Sequence, residues 1–256
     1  MSRFVNLEFG ESDEQFESSS ELKDEPFYLA EATRCFEEGQ FEQGLRAYAK
    51  VLEFNPQNPI AWSGQVRMLI ELGEFHEAKL WADKALERFP RDPELLASKA
   101  VALGRIGDLD AALAFSDAAI EERGDTPYIW LARGDVLLAR REKRADYCFE
   151  KAKFLGKGSW FIHWLASRIR FFYKKISLAL KSAQEALALD SSHGVIWLQL
   201  AKCQSALGMT AAARTSYEQT IQLLPSCREA ELALIRLEGG GSGMSLRSLW
   251  HRLFSQ

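Results

Sequence analysis

Cysteine is scarce and scattered in this sequence: Cys35, Cys148, Cys203 and Cys227 are the four present, and no two form a C-x-x-C pair. That spacing argues against a zinc cluster or a redox dithiol and leaves small helix thiols as the reading. Histidine is as sparse, and His76, His163, His193 and His251 share no metal-ligand spacing with one another or with cysteine. Gly-rich phosphate loops, G-x-S-x-G and H-E-x-x-H are missing too. The chain is therefore expected to be non-catalytic, with no metal, no cofactor and no small-molecule substrate.

Long apolar runs are also lacking. The richest segment, Trp160 to Tyr173, is interrupted by His163, Arg168 and Arg170, well short of the ~18 residues a membrane span needs. No signal-like apolar stretch follows the first methionine, so the expected location is cytoplasmic. Nor is there an excess of positive charge. Of the net −4, residues 1–25 hold eight acids against Arg3 and Lys23, whereas residues 244–256 hold Arg247 and Arg252 and no acid. The body between them is neutral, without the basic field that phosphate recognition requires, so nucleic acid is not an expected partner.

What the sequence does have is a period. Gly39, Gly73, Gly107, Arg141, Lys174 and Gly208 recur at spacings of 34, 34, 34, 33 and 34 residues. Small residues follow the same rhythm in one column of Ala32, Val66, Ala100, Gly134, Ser167 and Ala201. A second column is Gly44, Ala78, Ala112, Ala145, Ala179 and Ala213, and a third is Val51, Ala85, Ala119, Ala152, Ala186 and Thr220. In these last two columns the short step comes one interval earlier, which places the missing residue between Arg141 and Ala145. Small residues at fixed offsets let neighbouring helices approach closely, and a glycine past a helix end supplies positive φ. Pro59, Pro93 and Pro127 fall at first-turn positions, where the absent N–H costs nothing. Where the column reads Arg141 and Lys174, altered turn geometry is expected, and the fourth and fifth hairpins should form the least regular stacking step.

On these columns, with Trp62, Trp130 and Trp197 at one fixed offset and Pro56, Pro90 and Pro225 at another, the sequence resembles the tetratricopeptide repeat family. The resemblance implies an all-α, right-handed solenoid of six helix-turn-helix hairpins. The units fall at residues 25–58, 59–92, 93–126, 127–159, 160–193 and 194–227, with a capping helix at 228–238. It implies a protein-interaction adaptor and is silent on the partner.

In that family the first helix of each repeat lines a concave wall at its second, fifth, ninth and twelfth positions. The offsets transfer to Ile60, Arg67 and Ile70, to Ala97 and Val101, and to Tyr128, Leu131, Asp135 and Leu138. In the last two repeats they give Phe161, Trp164, Arg168 and Phe171, then Val195, Leu198 and Lys202. The Lys and Asn set with which some members clamp a carboxylate tail is not matched. Repeat five packs six aromatics into residues 160–173. Trp160 and Tyr173 read as packing between repeats, while Phe161, Trp164 and Phe171 read as partner anchors, with Arg168 and Asp135 fixing a ligand's direction.

The two ends differ. Residues 1–24 are acidic, serine-rich and without periodicity, the composition of a disordered tail, with Phe4, Val5, Leu7 and Phe9 as a candidate recognition motif. Residues 239–243 are Gly-Gly-Gly-Ser-Gly, a flexible-linker composition, and the Met244 behind them reads as the start of a second polypeptide joined by an engineered fusion. On a helical wheel Leu246, Leu249, Trp250, Leu253 and Phe254 share an arc of about 140° opposite the arginines. Such a segment either fills an apolar groove or lies on an anionic membrane. Two readings follow: an adaptor whose groove binds an amphipathic helix from a partner's N-terminus, touching membranes only through that partner, or a membrane scaffold anchored by 244–256. Two arginines supply only about 2 kcal/mol of attraction to acidic lipid, which favours the adaptor.

Overall fold

At several helix starts a capping side chain is followed by proline. A computed structural model of the chain describes residues 23–122 and 125–239; the predicted tail motif, the linker after Gly239 and the amphipathic C-terminal segment, with Leu246, Leu249, Trp250, Leu253 and Phe254, lie outside them. Asn58 Oδ1 accepts a hydrogen bond from the Ala61 N–H at 3.1 Å, and Asp92 Oδ1 accepts from Leu95 at 2.9 Å. Each satisfies a donor that the helix start leaves open, and Pro59 and Pro93 begin the helices that follow.

The described residues fall into two compact units divided between Gly158 and Ser159, a boundary between the fourth and fifth predicted hairpins. The first holds α1 (Glu25–Glu37), α2 (Phe41–Phe54), α3 (Pro59–Leu72), α4 (Phe75–Arg88), α5 (Pro93–Ile106), α6 (Leu109–Glu121), α7 (Pro127–Ala139) and α8 (Ala145–Leu155). The second holds α9 (Trp160–Phe172), α10 (Ile176–Leu189), α11 (Gly194–Ala206), α12 (Thr210–Leu223) and α13 (Arg228–Gly239). The described residues contain no strand. Within each unit sequential helices pack on one another, and α3, α5 and α7 also touch in order, as α9 touches α11. Helix α13 packs on α12 and runs one residue into the predicted linker.

The small-residue columns are the seams of this packing. All eighteen positions are buried, because a larger side chain at a helix crossing would hold the axes apart. At Gly134 a Cβ would come within 2.9 Å of the Phe149 ring, which is itself fully buried on α8. Among the polar members of the core, Ser167 donates to the Ala179 carbonyl at 2.8 Å and accepts from Gln199 at 3.2 Å.

The glycine column marks the turn inside each hairpin, and here the structure corrects an expectation. Gly39, Gly73, Gly107 and Gly208 have φ between 71° and 106°, and Arg141 and Lys174 adopt the same left-handed region at 60° and 59°. The turn is kept without the glycine. In all six hairpins the next residue donates back to the carbonyl five positions earlier, Glu142 to Leu137 at 2.8 Å and Lys175 to Arg170 at 2.9 Å among them. This backbone closure of the helix end offsets the roughly 1–2 kcal/mol that a side chain costs there.

The missing residue does act in the predicted place. Elsewhere the second helix begins three residues before its small-residue column, but α8 begins at Ala145 itself, shortened by its first turn. Glu142 closes the gap, bonded by Arg140 at 3.0 Å and by Arg144 at 2.6 Å.

Candidate binding surfaces

In the first unit the predicted inner row separates into buried and accessible members. Ile70, Ala97, Val101 and Leu131 are buried in the packing of α3, α5 and α7 and cannot line a groove. Ile60 is 60% exposed, and Arg67, Tyr128 and Leu138 are half-buried. Asp135, expected to orient a ligand from the groove, is only 1% exposed and bonded to Arg105 at 2.6 Å. Its charge is already spent inside the fold, because a buried carboxylate without a cation would be prohibitively costly. Arg105 had no place in the four-position row; its signal was the opposite charge one repeat on, thirty residues away.

Arg67 has a different environment. Its guanidinium lies 3.9 Å from the Tyr128 ring centroid and 4.8 Å from that of Phe36. Both rings attract it through their π-faces. Its Nε is buried without a hydrogen-bond partner, and no carboxylate of the described residues pairs with it. Tyr128 is fixed by a 3.0 Å hydrogen bond between its hydroxyl and that of Ser98, and burial pushes its hydroxyl up to about 12. Glu94, at the edge of the same cluster, accepts from the Thr126 hydroxyl at 3.0 Å.

The second unit redistributes the aromatic cluster. Trp164 is 1% exposed, and its indole N–H donates to the Val195 carbonyl at 3.1 Å. It is a core residue joining α9 to α11, not a surface anchor, and Val195 is buried with it. Leu198 packs into the cluster of Ala201, Ala213, Tyr217 and Ala230 that seats α13. Phe161 and Phe171 remain half-buried. Phe161 meets Trp160 edge-on at 5.5 Å, and Trp160 stacks on His193 at 3.9 Å. Arg168 lies 5.0 Å from the Trp164 ring. Lys202 is paired with Glu229 of α13 at 2.6 Å, so its charge is already answered.

The buried thiols are not poised as nucleophiles. Cys35, Cys148 and Cys203 are buried, and burial pushes Cys35 and Cys203 up to about 11, which keeps them protonated near neutral pH. His163 Nδ1 lies 3.1 Å from Glu185 on the neighbouring helix. Among the described residues no helix is long and apolar enough to cross a membrane.

Comparison with known proteins follows the period. A family profile described as tetratricopeptide repeat matches residues 6–150, and a second of the same description matches residues 196–226. Among solved structures, a tetratricopeptide repeat protein from Parabacteroides merdae is 13% identical, over 86% of each chain, with a TM-score of 0.55. A thermophilic one from Thermus thermophilus is 18% identical over 83% of this chain and 98% of its own, with a TM-score of 0.50. The Cut9–Hcn1 hetero-tetramer of the APC/C matches 85% of this chain at 16% identity and a TM-score of 0.52, but this chain spans only 43% of that one. At such identities the likeness is one of fold. No curated protein sequence matches.

Proposed function

Because the chain belongs to the tetratricopeptide repeat family, we propose that it is a non-catalytic scaffold that binds a protein partner through an amphipathic helix laid against α3, α5 and α7. The accessible part of the inner row carries this reading: exposed Ile60, half-buried Tyr128 and Leu138, and Arg67 held between two rings with no carboxylate of the described residues to answer it. Apolar side chains at helical spacing would cover the first three, and an acid at the edge of the stripe would meet the guanidinium. Residues 244–256 have the apolar arc of such a helix, read as the N-terminus of a partner, and contact with membranes is through that partner.

The experiment is a titration of a labelled 244–256 peptide against the chain carrying Trp250→Ala and Leu253→Ala, followed by fluorescence anisotropy. Saturable binding is expected, weakened about tenfold by Tyr128→Ala. A peptide with Arg247→Glu, which places an acid beside the apolar arc, should bind more tightly to the chain with Arg67 than to its Arg67→Ala variant. Absence of binding, or binding indifferent to Tyr128 and Arg67, would refute the assignment.

A further inference from the structure

The turns inside the hairpins carry a contrast that the inner row does not explain. In the first three hairpins they are acidic, with Glu37 and Glu38, then Glu71 and Glu74, then Asp108 and Asp110, and the apolar residues beside them, such as Leu72, Phe75 and Ile106, are half-buried. In the second unit the corresponding turns have no acid, since none occurs at residues 159–184 or 191–217. Lys174 and Lys175 form the α9–α10 turn, both exposed and neither paired with a carboxylate of the described residues. Lys181 follows on α10, its side chain 69% exposed and 3.9 Å from Glu185.

Apolar side chains stand out at the same turns. Phe172 closes α9, Leu178 lies in the first turn of α10, and Leu207 and Met209 flank Gly208 between α11 and α12. They are 42, 39, 41 and 43% exposed in that order. Connections of a few residues reverse the chain between α9 and α10, α10 and α11, and α11 and α12. The C-terminal ends of α9 and α11 therefore point the same way, and because these helices touch, the two turns share one edge of the unit.

A single exposed apolar residue is ordinary; four at neighbouring turns, set among lysines and free of acids, are not. This is the chemistry of a membrane-interface contact, in which apolar tips enter the headgroup boundary and ammonium groups on their flexible stems meet lipid phosphates. Other polyanions fit the edge less well. Single-stranded nucleic acid is held by stacking on aromatic faces, and of the four tips only Phe172 is aromatic. An acidic protein would have to offer a pocket to each apolar side chain, whereas lipid receives each of them separately.

We propose that the edge formed by the α9–α10 and α11–α12 turns docks on the surface of a bilayer containing anionic phospholipid, with Phe172, Leu178, Leu207 and Met209 entering the headgroup boundary and Lys174, Lys175 and Lys181 meeting the phosphates. The proposal goes beyond the scaffold reading and does not rest on it: the inner row takes no part, and the edge adds a direct contact to the one made through the partner.

The test is co-sedimentation of the full chain with extruded vesicles, one set of phosphatidylcholine and one of equal parts phosphatidylserine and phosphatidylcholine. The chain carries Leu249→Ser, Trp250→Ser and Leu253→Ser, so that the C-terminal arc does not itself bind lipid. Partitioning at least tenfold stronger onto the anionic set is expected. Lys174→Glu combined with Lys175→Glu should weaken it about tenfold, and so should Leu207→Ser combined with Met209→Asp. Lys50→Glu combined with Lys79→Glu, the same charge change placed in the first unit, should leave it unchanged. Equal partitioning onto both sets, none up to millimolar lipid, or indifference to both edge variants would overturn the proposal. An equal loss from the first-unit variant would also overturn it, by reducing the attraction to net charge. Oligothymidylate or poly-glutamate bound more tightly than the anionic vesicles, through the same lysines, would overturn the lipid assignment in favour of nucleic acid or an acidic protein. The comparison of the two vesicle sets uses the intact edge, so it does not depend on how the edge variants fold.

Discussion

The Arg67 guanidinium lies 3.9 Å from the ring centroid of Tyr128, and the two side chains come from helices α3 and α7, between which α5 intervenes in the chain order. With Phe36 of α1 on its other contact at 4.8 Å, the arginine links the first, second and fourth hairpins through the faces of aromatic rings. The same stack leaves its charge without a carboxylate of the described residues.

Replacing that arginine should loosen the stack. Arg67→Ala is expected to cost about 1–2 kcal/mol in urea unfolding, since a partly desolvated cation over a ring contributes on that order. In a double-mutant cycle with Tyr128→Leu the coupling should be about 1 kcal/mol. A cycle that closes to zero would show that the two groups are merely adjacent.

The Arg105–Asp135 pair, 2.6 Å apart and almost fully buried, is expected to behave asymmetrically. Asp135→Ala leaves a guanidinium stranded in the core and should cost about 3–5 kcal/mol, whereas Arg105→Met combined with Asp135→Leu should fall within about 1–2 kcal/mol of the parent. Chemical denaturation of the three proteins decides it. Equal losses for the single and double variants would mean that packing, and not the unpaired charge, dominates.

At the two non-glycine turns the expected change is stabilising. Arg141 and Lys174 hold φ near 60°, so Arg141→Gly and Lys174→Gly each relieve the side-chain penalty while adding some unfolded-chain entropy. The net gain should be roughly 0.5–1 kcal/mol per site, read as a rise in melting temperature.

Acid should erase the contribution of Glu142. Hydrogen bonds from Arg144 and then from Arg140 hold its carboxyl below the ordinary glutamate range. The folded chain therefore binds this proton less readily than the unfolded one. The stabilisation is complete above the unfolded value of about 4.3 and is lost as pH falls through the lower folded value. Glu142→Gln should be less stable than the parent at neutral pH, with the gap closing below about pH 4. The carboxyl is still partly open to solvent, so a small difference is expected, best resolved in paired melts at low salt.

The period alone determined the family, the helix pairs, their small-residue seams and the site of the missing residue. Every copy meets the same local constraint, and a column such as Ala78, Ala112 and Ala179 reports a helix crossing wherever it recurs. Which inner-row residues stay open was not legible, because fixed offsets assign a direction on one helix and not what its neighbours cover. Trp164 and Asp135 sit at the same kind of offset as Phe161 and Arg67, yet Val195 and Arg105 take them into the interior. The turns at Arg141 and Lys174 depended on backbone hydrogen bonds that any residue can make, so the loss of glycine misreported their geometry. Only the tertiary structure set Phe172, Leu178, Leu207 and Met209 on one edge of the second unit. Exposure is what the neighbouring helices leave uncovered, and no single segment of sequence encodes that.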